Sequence, residues 1–318
     1  MDSTPKHFLK IGDFEPEQLQ EMLDLSQALD RESRPLLDQK NVLFAFEKPS
    51  LRTKVGTEVA INHLGGRVLH VDADVLFGAG VDPVFEARES MLDTMKNVSQ
   101  WCDAIFSRVF RHATLQAMAE LSDIPIVNAL CDHHHPMQAM ADMYTIQETF
   151  GKQQQVAITF VGDANNVARS LLEIALCFGH EVRFSGPKDY DWSAEMLDHF
   201  DQLAQRFGGV FRHSNRPDDV IGGSQVVYTD TFVSMGEEEQ MDEKLASFKE
   251  HQVNGTLFAK AGSDAGFMHC LPAHRGIEVT EEVIDHPNSW IYRQARNRMV
   301  VSRGVFATLI GTDRQTNV

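Results

Sequence analysis

The sequence has few cysteines, no long apolar run and no secretory signal, the features typical of small secreted proteins and of membrane proteins. It holds only four cysteines in 318 residues, none of them spaced as C-x-x-C, and a chain of this length needs no disulfides to bury a core. No uninterrupted apolar run approaches the ~18 residues of a membrane-spanning helix. Residues 1–6 lack the basic and then apolar pattern of a secretory signal. These absences predict a cytoplasmic protein with reduced thiols and no membrane partner.

Positive charge is also scarce. There are 29 Lys and Arg residues against 46 Asp and Glu residues, so the formal net charge is −17. Nucleic-acid binding needs a basic face that neutralises phosphates, and we therefore expect no nucleic-acid partner. A small anionic substrate remains compatible with this composition, because a pocket can be basic on an acidic protein.

Short apolar segments alternate with helical segments along the chain. This order is typical of an α/β fold with parallel sheets that are covered by helices on both faces. A polar seam at 151–155 predicts a boundary between two domains. The predicted strands are 42–46, 68–71, 105–107, 126–130, 156–161, 181–184, 226–229 and 267–269. In such folds ligands bind beyond the carboxyl ends of the strands, which is where chemical groups are sought.

The first predicted strand leads to a helix start that carries hydroxyls and cations. Ser50 is a plausible N-cap, and Arg52, Thr53 and Lys54 follow it. Free backbone N–H groups, the positive end of the helix dipole and an arginine together suit a phosphate group. The alternative interpretation is an ordinary capped helix with a solvated charged face.

Two further strand ends in the first half carry polar groups. Arg108 follows the third predicted strand, and the histidine run 133–135 follows the fourth. Adjacent histidines cannot all face one ion, and no helical His-x-x-x-His spacing is present, so a metal site is not expected there. The favoured interpretation is that His135 and Gln138 lie at a helix start and point at a ligand.

The second half offers three such positions. The segment 162–167 carries Asn165 and Asn166 but lacks G-x-G-x-x-G, so it predicts a helix cap rather than a dinucleotide site. Asp230 follows a strand and begins a turn with hydroxyl groups. Cys270 follows the last strand, where a thiol can be a nucleophile, a weak polar contact or a buried apolar group.

In this order the motifs resemble the aspartate/ornithine carbamoyltransferase family, and most closely its ornithine branch. The resemblance covers nearly the whole chain. Its segments are FEKPSLRTK from Phe46, HPMQAMADMYTI from His135, GDANNVARSLLE from Gly162, DTFVSMGEE from Asp230, HCLPAHRGIEVTEEVIDHPNSW from His269, and QARNR ending at Arg298.

The resemblance implies two doubly wound domains with the active site in the cleft between them. Residues 1–150 would bind carbamoyl phosphate, with the last helix, about 299–318, packing back on them, and residues 151–298 would bind the amine. The implied assembly is a homotrimer or an assembly of trimers, and the implied pathway is arginine biosynthesis. The implied carbamoyl-phosphate contacts are Ser50, Leu51, Arg52, Thr53, Arg108, His135, Gln138, Cys270, Leu271 and Arg298. The implied ornithine contacts are Asn166, Asp230, Ser234 and Met235, and the residues implied in the chemistry are Arg108, His135, Asp230 and Cys270.

The implied reaction is attack of the neutral δ-amine of L-ornithine on the carbamoyl carbon, giving L-citrulline and phosphate. Cationic donors at the carbonyl oxygen would stabilise the charge that develops there. No cofactor, metal or covalent intermediate is implied.

Three departures from the family pattern leave the acceptor amine open. Leu51 stands where the ornithine enzymes carry Thr, and Lys54 stands where they carry Arg, which removes a bidentate fork. The segment 74–88, which in relatives reaches the neighbouring subunit's site, has no Gln or His at its centre. The alternative acceptors are therefore an N-acylated ornithine and putrescine. Two alternatives of other classes are an inactive binding paralogue, against which the intact Arg52, Arg108, His135, Gln138 and Arg298 argue, and a nicotinamide-dependent dehydrogenase, against which the missing glycine fingerprint argues.

Overall fold

The computed structural model describes residues 5–77, 89–233 and 241–311. The chain forms two compact units: unit 1 is Met1–Ala141 with Arg296–Val318, and unit 2 is Asp142–Ala295. The sequence places these boundaries at 150 and 298, whereas the chain passes between the units inside two helices, Pro136–Phe150 and Ile291–Ile310. None of the helices in the described ranges is both long enough and apolar enough to cross a membrane.

Strands and helices alternate over the described residues. The strands are β1 (Asn41–Phe46), β2 (Arg67–Asp72), β3 (Ala104–Arg108), β4 (Ile126–Leu130), β5 (Ala157–Val161), β6 (Glu181–Ser185), β7 (Val210–His213), β8 (Val226–Thr229) and β9 (Gly266–His269). The helices are α1 (Pro16–Arg31), α2 (Leu51–His63), α3 (Ala73–Phe77), α4 (Met91–Trp101), α5 (His112–Leu121), α6 (Pro136–Phe150), α7 (Asn166–Cys177), α8 (Ala194–Phe207), α9 (Pro217–Val220), α10 (Met241–Ser247), α11 (Gly255–Ala259), α12 (Glu281–Ile284) and α13 (Ile291–Ile310).

Unit 1 contains a parallel sheet in the order β2-β1-β3-β4. β3 is buried throughout and β1 is buried at its four central residues, as expected for inner strands of a sheet covered on both faces. Phe106 of β3 packs against Phe44 of β1 and Phe306 of α13, so the last helix belongs to this core. β2 is an edge strand and exposes Leu69. The carboxyl ends of β1, β3 and β4 meet at one edge, where Arg108 and the segment before α6 lie.

Unit 2 contains a parallel sheet in the order β7-β6-β5-β8-β9. The sequence analysis predicts every strand in the described residues except β7. That strand is short, lies at the sheet edge and alternates between exposed and half-buried residues, so it lacks the apolar run by which the others are recognised. The parallel α/β prediction is confirmed for both units.

Local capping explains where the helices that matter begin and end. The Ser50 hydroxyl accepts the N–H of Thr53 at the start of α2, as its type predicts. The side chain of Asn165 accepts the N–H groups of Val167 and Ala168 at the start of α7. α8 ends at Gly208, which has φ +74°, a left-handed conformation that glycine adopts without steric cost.

Candidate functional site

One arginine organises the polar cluster of unit 1. Arg298 on α13 is buried, and its guanidinium donates to the Thr53 hydroxyl at 2.8 Å and to Oε1 of Gln138 at 2.7 Å. The Nε2 atom of His135 lies 3.4 Å from the same guanidinium. Three separate segments, α2, α6 and α13, therefore converge on one point within unit 1.

The start of α2 supplies backbone donors and a cation beside this cluster. Ser50 caps the helix, and Arg52 is half-buried with no hydrogen bond or ion pair to any residue that the structure describes. The Leu51 side chain is 76% exposed, so the leucine contributes its backbone rather than its side chain to the unit. An unpaired, half-buried arginine at a helix N-terminus is a suitable site for an anion.

Burial and two neighbouring cations keep the side chain of His135 neutral. Burial lowers the pKa of His135 well below its usual value, and the positive charges of Arg298 and Arg108 lower this pKa further. The imidazole is therefore neutral, while both arginines carry charge. Arg108 is buried at the end of β3, at the edge of the sheet where His135 precedes α6.

The unit 1 cluster combines fixed positive charge with neutral donors. Buried guanidinium groups bind a phosphate or a polarised carbonyl oxygen more strongly than they would in water. A neutral imidazole can donate one hydrogen bond without adding a third charge. This combination suits a small ligand that carries a phosphate group next to a carbonyl group.

In unit 2 a carboxylate links the ends of three strands. Asp230 follows β8 and is buried; its Oδ1 accepts from Sγ of Cys270 at 2.9 Å and its Oδ2 accepts from Nδ2 of Asn165 at 3.0 Å. Cys270 follows β9, and Asn165 follows β5. Cys270 is half-buried, and its thiol is not part of a disulfide. A carboxylate, a thiol and an amide at one sheet edge suit a cationic or amine ligand.

A buried network fixes the backbone that leads to Cys270. Oε1 of Gln294 accepts the N–H of His269 at 3.0 Å, and Nε2 of Gln294 donates to Asp142 at 2.7 Å and to the Tyr228 hydroxyl at 3.0 Å. Burial, followed by the negative charge of Asp142, raises the pKa of Tyr228 well above its usual value. The phenol is therefore neutral and serves as a fixed hydrogen-bonding group.

The donor set of unit 2 raises the question of a metal ion. One ligand atom each from Asp230, His269 and Cys270 lies within 4.8 Å of the others, and these side chains are the types that zinc uses. However, Nδ1 of His269 accepts the N–H of Leu271 at 2.9 Å, and its Nε2 lies 3.3 Å from Oε1 of Glu278. Both ring nitrogens are committed within the protein, which argues against histidine ligation here.

A buried ion pair anchors the segment that follows β5. Nζ of Lys244 lies 2.8 Å from Oδ2 of Asp163, and the Lys244 side chain is only 3% exposed. The same Nζ lies over the ring of Tyr190, 5.2 Å from its centroid. The backbone carbonyl of Asp163 in turn accepts the N–H of Asn165 at 2.8 Å. Through Asp163, Lys244 therefore helps to position the Asn165 amide, which contacts Asp230.

The structure brings together two groups of the residues that the sequence singles out. Thr53, His135, Gln138 and Arg298 share direct hydrogen-bonding contacts in unit 1. Asp230 and Cys270 are in contact in unit 2, whereas Asn166 is half-buried at the start of α7, one residue after the amide that reaches Asp230. Ser234 and Met235 lie outside the described residues, as do residues 78–88 of the 74–88 segment.

The sequence analysis did not identify three buried polar residues that lie away from the strand ends and support the site. Lys244, Glu278 and Gln294 are all buried, although such side chains usually lie at the surface. A weak signal was available for Glu278, since it stands between two aliphatic residues, Ile277 and Val279. For Lys244 and Gln294 the sequence offers no comparable signal.

The histidine run is divided by exposure. The His133 side chain is 59% exposed, whereas His134 and His135 are buried. Consecutive residues of the run thus face different surroundings.

Comparisons with known proteins cover nearly the whole chain. Residues 6–148 match the family model of the aspartate/ornithine carbamoyltransferase carbamoyl-P binding domain, and residues 154–309 match that of the Asp/Orn binding domain. An ornithine carbamoyltransferase of Thermus thermophilus is 39% identical over 97% of this chain and 98% of its own length. The ornithine carbamoyltransferase of Shewanella oneidensis is 39% identical over 96% of this chain and 99% of its own. The solved structure of the Pyrococcus furiosus ornithine carbamoyltransferase superposes with a TM-score of 0.90 at 35% identity, covering 98% of this chain and 99% of that one.

Proposed function

The chain belongs to the aspartate/ornithine carbamoyltransferase family and is a carbamoyltransferase that acts on ornithine, and we propose that the clusters around Arg298 and Asp230 carry out its two binding tasks. Unit 1 binds carbamoyl phosphate, and unit 2 binds ornithine. The product pair is citrulline and inorganic phosphate.

The start of α2 holds the phosphate group. Its donors are the Ser50 and Thr53 hydroxyls, the backbone N–H of Leu51 and the Arg52 guanidinium. The support is the capped helix start together with the Arg52 cation, which has no hydrogen bond or ion pair to residues 5–77, 89–233 or 241–311. Arg298 adds a buried charge that is already hydrogen-bonded to Thr53.

Arg108 and His135 stabilise the carbamoyl oxygen, and Gln138 contacts the carbamoyl nitrogen. When the amine attacks, negative charge develops on this oxygen, and fixed donors that face it lower the barrier. A neutral His135 donates one N–H bond, which its lowered pKa favours. Arg108 contributes charge without a proton transfer, because a guanidinium stays protonated.

Asp230 and Cys270 orient the amine. The Asp230 carboxylate already accepts hydrogen bonds from a thiol and an amide, and it can accept one more from an ammonium or amine N–H. Asn166, Ser234 and Met235 complete the ornithine contacts in this proposal. Bringing the amine and the carbamoyl group together supplies much of the rate enhancement, as in other two-substrate transfers.

The single observation that carries the assignment of the donor site is the convergence of Thr53, Gln138 and His135 on Arg298. The activity and its acceptor are tested by a steady-state assay with carbamoyl phosphate that measures phosphate release with ornithine, N-acetylornithine or putrescine as the amine. We expect ornithine to give the highest kcat/KM. An ornithine value below a hundredth of the best amine's would overturn the acceptor assignment.

Binding order offers a second test. We expect carbamoyl phosphate alone to raise the melting temperature clearly and ornithine alone to raise it weakly, because the donor site is built from residues already hydrogen-bonded to one another. Equal shifts at matched saturation would contradict this order.

We also propose a homotrimer, or an assembly of trimers, that works in the cytoplasm in arginine biosynthesis. The exposed Leu51, Val55 and Leu69 in unit 1 support burial against another copy. The absence of a disulfide at any of the four cysteines supports a reducing compartment. The related ornithine carbamoyltransferase of Halobacterium salinarum is named catabolic, and that of Pyrococcus furiosus is named anabolic. A measurement of metabolic flux is therefore needed to test the biosynthetic direction. Sedimentation velocity tests the assembly.

A further inference from the structure

The loop after β9 has a backbone conformation that must be held in place. Leu271 has φ +58°, in the left-handed region that branched residues rarely adopt. Such a conformation persists only where surrounding contacts determine it. The proposed function assigns a substrate contact to Cys270, and the family resemblance implies one for Leu271, so the contacts that hold the loop affect the reaction directly.

The side chain of His269 holds Leu271. Its Nδ1 accepts the backbone N–H of Leu271 at 2.9 Å, so Nδ1 carries no proton. In a neutral imidazole the proton is then on Nε2, which makes Nε2 a donor. The backbone of His269 is itself fixed, since its N–H donates to Gln294 at 3.0 Å.

Glu278 selects this tautomer. Its Oε1 lies 3.3 Å from Nε2 of His269, and a carboxylate only accepts hydrogen bonds, so the bond requires the proton on Nε2. Both side chains are 0% exposed, and water does not compete for either group. A carboxylate that fixes the tautomer and orientation of an imidazole is a recurrent device in active sites.

Glu278 also holds the far end of the same loop. Its Oε1 accepts the backbone N–H of His274 at 2.5 Å. The backbone carbonyl of Glu278 accepts the N–H of Val253 at 2.9 Å, which anchors the carboxylate to the body of unit 2. Oε1 of Glu278 thus contacts both His269, which precedes Cys270, and His274, at the end of the loop.

We propose that Glu278 and His269 are positioning residues for the reaction: Glu278 holds His269 in the Nε2-protonated tautomer, and His269 holds the backbone N–H of Leu271 so that Cys270 and Leu271 face the reacting groups. The role of the loop in the reaction rests on the proposed function, whereas the hydrogen-bonded relay from Glu278 through His269 to Leu271 is independent of it. Neither residue contacts substrate, and both act through the loop.

The central variants are Glu278→Ala and Glu278→Gln. Glu278→Ala removes the acceptor for both N–H groups, and we expect kcat to fall roughly 10- to 100-fold while the Kd of carbamoyl phosphate changes less than about twofold. Glu278→Gln keeps one carbonyl oxygen as an acceptor, and we expect it to recover most of kcat. Glu281→Ala is the matched control, because that side chain is 79% exposed on the adjacent helix. An unchanged kcat in folded Glu278→Ala, or no recovery in Glu278→Gln, would overturn the proposal.

A second pair of variants separates the two ends of the imidazole. His269→Asn places an amide oxygen near the position of Nδ1 and can still accept the Leu271 N–H, whereas His269→Gln places an amide nitrogen near the position of Nε2 and can serve only Glu278. We expect His269→Asn to retain about tenfold more kcat than His269→Gln, since the Leu271 bond sets the loop. Equal values or the reverse order would overturn the proposal. Circular dichroism restricts the comparison to folded protein.

The tautomer of His269 can be measured in the native enzyme, and this measurement does not depend on the activity of any variant. Two-bond 1H–15N correlation spectra of histidine-labelled protein report which ring nitrogen carries the proton, and the His269 signals are identified by their loss in His269→Gln. We expect a proton on Nε2 and none on Nδ1. The opposite tautomer would overturn the relay. Failure of the native enzyme to carbamoylate ornithine would overturn the proposed function and leave this measurement intact.

Discussion

Arg298 donates a hydrogen bond to the hydroxyl of Thr53 at 2.8 Å, although 245 residues separate them in the chain. Both residues are buried in unit 1. The guanidinium also holds Gln138 at 2.7 Å, so one side chain of α13 orders the starts of both α2 and α6. Its removal should therefore affect ligand binding more than a typical helix substitution does.

We predict that Arg298→Gln raises the KM for carbamoyl phosphate about 10- to 100-fold, because a charge-assisted contact and the orientation of Thr53 are lost together. Steady-state kinetics with saturating ornithine measure it. Arg296→Gln is the control, since that side chain lies on the same helix but is 51% exposed. Equal KM values in the two variants would contradict the role of Arg298.

Arg108 is buried at the end of β3, where its charge adds to burial and to Arg298 in lowering the pKa of His135. We predict that Arg108→Ala lowers kcat about 10²- to 10³-fold with the fold retained, the usual effect of losing one donor to a developing oxyanion. Arg111→Ala, three residues along and exposed, should leave kcat unchanged. A loss below tenfold at saturating substrates would refute the assignment.

Leu51 is 76% exposed at the first position of α2. We predict that Leu51→Thr lowers the KM for carbamoyl phosphate up to about fivefold, the value of roughly one added hydrogen bond, and leaves amine preference unchanged. Val55→Thr makes a similar change one turn later, at a residue that is 50% exposed, and should have no such effect. A shift of preference toward an acylated amine in Leu51→Thr would instead link this position to acceptor choice.

The buried Lys244–Asp163 pair should be costly to break. We predict that Lys244→Met lowers the free energy of unfolding by about 3 kcal/mol, because the Asp163 carboxylate is left buried without its counter-charge. The double variant Lys244→Met with Asp163→Asn should recover part of this loss, since the uncompensated charge is gone. Urea denaturation measures both. A single variant as stable as the native protein would show that the pair contributes nothing.

His180 should make stability depend on pH. Burial lowers the pKa of His180 from 6.5 to about 4, and its Nδ1 accepts the N–H of Val156 at 3.2 Å. The unfolded chain therefore binds a proton at higher pH than the folded chain does. The stabilising contribution is complete above about pH 6.5 and is lost as the pH falls towards 4, by up to about 3 kcal/mol.

We predict that His180→Asn, which keeps an acceptor but does not titrate, has a flatter dependence of unfolding free energy on pH between these values. His133→Asn makes the same chemical change at a side chain that is 59% exposed and should leave the native pH dependence intact. Identical pH profiles for native protein and His180→Asn would contradict the prediction.

The sequence by itself determines the local features of this protein. Apolar runs identify the inner strands, and Ser50, Asn165 and Gly208 mark helix ends because each satisfies or permits the backbone within a few residues of itself. β7 escapes recognition because an edge strand need not be apolar on both faces. The motifs in their order also identify the family, and all but the last of them follow a predicted strand.

Only the tertiary structure decides which of these groups meet. It pairs Thr53 with Arg298 and Asp163 with Lys244, contacts that span 245 and 81 residues, because α13 and α10 fold back beside segments that are distant along the chain. It assigns the contact with Asp230 to Asn165 rather than to Asn166, a choice that depends on where α7 starts by one residue. It also buries Glu278 beside His269, although glutamate side chains usually lie at the surface. Because burial excludes water, the Glu278 carboxylate becomes a fixed hydrogen-bond acceptor for the protein groups around it.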